Sequence, residues 1–141
     1  MSEASGLRRR AFFGLLVVGV LFSSNALAGT YLNSAALLLA QANSEADYLR
    51  ARVNDKELAE LIHRLAEGRL EAAKNMIVPK EVVQAHPHLL LVLENYERAA
   101  DSATRGEAEK FLVYQQRARD EDRTFRGVLK QFGYTLPDMK P

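Results

Sequence analysis

Residues 107–132 read EAEKFLVYQQRARDEDRTFRGVLKQF, and this stretch decides the fold. Ala108, Phe111, Gln115, Ala118, Asp122, Phe125, Leu129 and Phe132 recur at alternating intervals of three and four residues, which is one face of a helix. The same intervals would scatter those side chains over both faces of a strand. Most of the rest of the stretch is charged or polar. Within Arg117–Arg123 and its flank, Asp122 and Arg126 stand four apart, as do Arg117 and Glu121, so mixed signs at helical spacing predict a solvated, self-paired face. Gly133 then suits the left-handed position after a helix, with Tyr134 folding back on Leu129.

Outward from this helix the same period continues. Leu89, Val92, Tyr96, Ala99 and Ala103 predict a helix that starts at Pro87, with His86 at its cap. It stops at Gly106, or else Thr104 and Glu107 cap the next helix. Pro79–Gln84 predicts a short helical turn. Before it, Leu58, Leu61, Ile62, Leu65, Ala72, Ala73 and Met76 predict a helix capped by Asn54, with Glu57 as its reciprocal partner. Leu32, Ala35, Leu39, Ala42, Ala46, Leu49 and Val53 predict another from Tyr31 to Val53. Connections this short force neighbours to run antiparallel, so the expected fold is all-α, an up-down four-helix bundle. Alanines 35, 42, 46, 99 and 103 predict a close approach of the first and third helices. Thr135–Pro141 forms a tail.

The chain before this domain has a different character. Arg8-Arg9-Arg10 leads into an apolar run from Ala11 to Phe22 and then into Ala26-Leu27-Ala28. A basic stretch, a short apolar stretch and a small-x-small ending make a secretory signal peptide over residues 1–28, cleaved after Ala28. A span of bilayer needs about 20 apolar residues, so an inner-membrane anchor through residues 11–28 is the lesser alternative. Arg9-Arg10-Ala11-Phe12-Phe13 resembles the core of a twin-arginine export signal, which implies passage across the membrane in the folded state. The expected location is periplasmic or extracellular. Lipidation at the cleavage site is excluded, because the chain has no cysteine.

Residues 29–141 are then one domain. Export removes three arginines and Glu3, leaving 16 basic against 17 acidic side chains. Such a balance carries no electrostatic footprint for nucleic acid, and membrane contact is expected only through an uncleaved signal. Zero cysteines exclude disulfides, thiolate metal centres, iron–sulfur clusters and cysteine nucleophiles.

Three constellations bear on chemistry. His86-Pro87-His88 places two imidazoles at a helix start, a candidate site for a divalent transition metal. Glu60-x-x-His63 has the spacing of a di-iron bundle ligand pair, but no second copy exists. At about 100° per residue, both of its side chains lean away from an arc centred on Leu58. Arg69 and Asp122 fall on core faces of different helices and form a candidate buried polar pair that fixes register. No phosphate loop, nucleophile elbow or Ser-His-Asp set is visible. The expectation is a non-enzymatic, exported protein-interaction module with a protein partner and no cofactor; the alternative is a metal- or small-ligand-binding bundle using His86 and His88.

Overall fold

The computed structural model describes the backbone of residues 2–139 and the side chains of residues 26–139. Four α-helices and one short 3-10 turn make up its regular structure, with no strand among the described residues. Helix α1 spans Ser2–Arg50, α2 Lys56–Lys74, α3 His86–Thr104 and α4 Ala108–Gln131, and the 3-10 turn spans Lys80–Val82.

Local chemistry sets the ends. Asp55, not Asn54, caps α2: its Oδ1 accepts the Leu58 N–H at 3.0 Å, satisfying one of the donors that a helix start leaves without a partner. Pro87 lies within the first turn of α3, where its missing N–H is no loss. The α3 and α4 helices end in the same motif. At Gly106 (φ +72°) the Glu107 N–H reaches the Ser102 carbonyl at 3.0 Å, and the Gly106 N–H reaches Ala103 at 3.1 Å. At Gly133 (φ +83°) the Tyr134 N–H reaches Leu129 and the Gly133 N–H reaches Lys130, both at 3.0 Å. Both are Schellman caps, whose left-handed residue is glycine because a Cβ would be strained there. Tyr134 packs against the core as expected. Thr104 belongs to α3, and Glu107 precedes α4 without a side-chain cap.

Two clusters of buried side chains lay out the topology. One joins Leu49, Ala59, Ile62, Ala103 and Phe111, which belong to the end of α1, the start of α2, the end of α3 and the start of α4. The other joins Tyr31 and Leu39, about three to five turns earlier on α1, with Ala73, Leu89, Phe125 and Leu129, from the opposite ends of α2, α3 and α4. Consecutive helices therefore run antiparallel.

Helices α1 and α3 do approach closely, but the more extensive backbone contacts of α3 are with α4 and with α2. The α2–α3 contact is narrow because Ala59, Ala99, Ala100 and Ala103 are buried in one cluster. Helix α2 is rotated from the sequence reading. Its buried face is Ala59, Ile62, Ala66, Arg69 and Ala73, whereas Leu61 and Leu65 are 47% and 46% exposed.

The expected signal peptide falls almost wholly on residues whose side chains lie outside the described ones. The backbone of α1 runs unbroken past Ala28 and Gly29, rather than beginning at Tyr31. Ala26 and Leu27 are exposed, Ala28 is buried, and among the described side chains the core cluster begins at Tyr31. Among the described residues no helix is long and apolar enough to cross a membrane.

Candidate functional site

His86 and His88 leave the first turn of α3 in different directions. The Tyr31 hydroxyl of α1 lies 2.9 Å from His86 Nδ1, with the two rings edge-on at 5.7 Å. The Ala73 carbonyl of α2 lies beside the same imidazole and favours its charged form. Burial holds the His86 pKa below its ordinary value, and the carbonyl opposes that only in part. Burial likewise pushes the Tyr31 phenol well up. His88 faces α4 instead, with Nδ1 3.1 Å from Glu121 Oε2. The two imidazoles do not converge: His86 meets Tyr31 of α1, and His88 meets Glu121 of α4.

Arg69 and Asp122 do not pair either. The Arg69 guanidinium is buried and donates to Glu45 Oε2 of α1 at 2.5 Å, while Asp122 pairs within its own helix with Arg126 Nε at 3.0 Å. The reason is the rotation of α2, which turns Arg69 toward α1 rather than toward α4.

A polar layer lies across the middle of the molecule. Gln115 is buried on α4 and donates to Asp47 Oδ1 at 3.1 Å, and Arg119 donates to the same oxygen at 2.7 Å. The Tyr96 hydroxyl of α3 donates to Asn43 of α1. Burial, with the charges of Asp122 and Asp47 adding and Arg119 opposing, pushes the Tyr96 pKa up to about 12. No buried side-chain polar atom among the described residues lacks a partner. A fully satisfied layer of this kind specifies helix register, because any slip strands its donors.

The third cluster is one that the sequence reading passed over. His63 Nε2 lies 2.7 Å from Glu97 Oε1 of α3 and 3.6 Å from Glu67 Oε1 one turn along α2. One ligand atom from each residue falls within 4.8 Å of the others. Glu60, which shares the Glu-x-x-His spacing with His63, lies beside Lys56. His63 does not lean to solvent: centring the core on Ala66 rather than Leu58 turns it toward α3. The helical spacing of His63 and Glu67 was visible in the sequence, but Glu97 joins them only through the α2–α3 register.

Two spaces accompany these groups. A void of about 10 Å³ beside Arg69, Tyr96 and Phe111 has room for one water at most. An open groove of about 410 Å³ lies between α1 and the C-terminal tail, lined by Ala36, Ala40, Asn43, Arg126, Leu136 and Met139.

The chain matches no protein-family model, no curated protein and no solved structure.

Proposed function

We propose that this protein is an exported helical bundle that acts by binding a partner protein rather than by turnover. The observation that carries the reading is where, among the described side chains, the core cluster begins. The export pattern ends at Ala28, and among residues 26–139 the buried cluster starts at Tyr31; of the described side chains that cleavage after Ala28 removes, only the Ala28 methyl group is buried. The delivered part keeps both clusters and all four helical segments, and it needs no disulfide because it has no cysteine. The periplasm or the exterior is the compartment this implies.

The binding face is the outer side of α2. Leu61 and Leu65, one turn apart, are each nearly half exposed, although the alanines beside them are buried. Leucines outside and alanines inside suit a helix that packs closely on α3 while offering its larger apolar side chains to another surface. A photo-crosslinking residue at position 65 in the exported protein tests this. One discrete heterologous adduct, abolished by Leu61→Glu while helix content is unchanged, is expected. A folded protein that yields no adduct, or adducts indifferent to Leu61→Glu, contradicts the proposed face.

A further inference from the structure

We infer that His63, Glu67 and Glu97 form a binding site for one divalent transition-metal ion, of which Zn²⁺ is the representative, between α2 and α3. Three features of the cluster point to a cation. The first is geometry. Zinc bonds to nitrogen and oxygen of about 2.0–2.2 Å at tetrahedral angles place neighbouring donors about 3.4 Å apart. The His63–Glu67 separation is 3.6 Å, and the His63–Glu97 separation is 2.7 Å. All three ligand atoms lie within 4.8 Å of one another, so small side-chain shifts bring them to one ion.

The second feature is charge. Among the described residues neither Glu67 nor Glu97 has a lysine or arginine within 4.0 Å, and His63 is the only basic group paired with either. The one proton on Nε2 can be donated to Glu97 at hydrogen-bond distance, which leaves the Glu67 oxygen at 3.6 Å outside that range. A protonated imidazole therefore serves one carboxylate and leaves two like charges side by side. A divalent ion at the shared point serves all three ligands together.

The third is the donor set and its setting. One imidazole with two carboxylates suits zinc, copper or nickel, whereas magnesium and calcium prefer oxygen alone. His63 and Glu97 are only 20% and 22% exposed, and Glu67 is 56% exposed. The two inner ligands are therefore held by packed helices, and the outer side is open for water as a further ligand. Ala59 and Ile62, just before His63, and Ala99 and Ala100, just after Glu97, are buried together. That packing fixes the spacing of the two backbones that carry the ligands.

Isothermal titration of the purified, chelator-stripped protein with zinc chloride tests the site. One saturable Zn²⁺ per chain is expected. His63→Ala and Glu67→Ala should each weaken binding by more than the about ten-fold that loss of an outer-shell partner costs; His88→Ala should leave it within about two-fold. Glu67→Ala is at an exposed helix position that favours alanine, so it keeps the test informative if His63→Ala disturbs packing. No saturable binding, or binding that survives both His63→Ala and Glu67→Ala, overturns the site. Loss of binding in His88→Ala alone does so as well.

Discussion

Arg69 of α2 donates to Glu45 of α1 at 2.5 Å, and the arginine is the more deeply buried partner, its side chain 7% exposed against 28% for the glutamate. The two halves of this pair are therefore not equivalent. Removing Glu45 leaves a charged guanidinium in the interior beside Ala66 and Tyr96, whereas replacing Arg69 with methionine leaves a carboxylate that reaches water.

Chemical denaturation should show Glu45→Ala to be the more damaging change, costing about 1–3 kcal/mol as a buried charged group loses its partner. Arg69→Met should cost less than Glu45→Ala. Equal effects would mean that the pair is hydrated in solution.

The Tyr31–His86 contact ties α1 to the start of α3, and Tyr31→Phe keeps the ring while removing the hydroxyl that meets Nδ1. A loss of about 1–3 kcal/mol is expected from the ring nitrogen left unsatisfied, measured by urea midpoint. A change below a few tenths would show that water replaces the hydroxyl.

The same imidazole makes stability depend on pH. Its folded pKa lies below the ordinary value of 6.5, so above pH 6.5 both folded and unfolded forms are neutral and the full stability is present. As pH falls below 6.5 the unfolded chain takes up the proton first, and stability is lost toward and through the lower folded value. Melting temperature should therefore drop more between pH 7.5 and 5.5, a range of about two units around this titration, in the parent than in His86→Gln. Identical slopes would contradict a buried, neutral His86.

Phe125 is fully buried on the α4 seam that first indicated a helix. Phe125→Ala should cost about 3–5 kcal/mol by thermal or urea unfolding. The neighbouring Arg123→Ala, whose side chain is largely exposed, should stay within about 0.5 kcal/mol.

Helix existence was legible in the sequence wherever large apolar residues keep one period. On α4, Phe111, Gln115, Ala118, Phe125 and Leu129 are all buried, as their spacing implies. On α2 the period was equally clear but its phase misled, because leucine outranks alanine in hydrophobicity. The close contact with α3 selects small side chains, so Ala59, Ala66 and Ala73 face inward and Leu61 and Leu65 outward. That single rotation changed two site expectations. It sent Arg69 to Glu45 instead of Asp122 and turned His63 toward Glu97. Pairings between helices depend on rotation and register together, and neither is written in the spacing along one helix. The two glycine caps were legible because they depend only on local backbone angles.

The proposal of an exported, self-sufficient bundle rests on the boundary between Ala28 and the core cluster that, among the described side chains, starts at Tyr31. N-terminal sequencing of the protein recovered from the exported fraction tests it most directly. A folded chain beginning at Gly29 is expected; a folded chain that still carries residues 1–28 would contradict it.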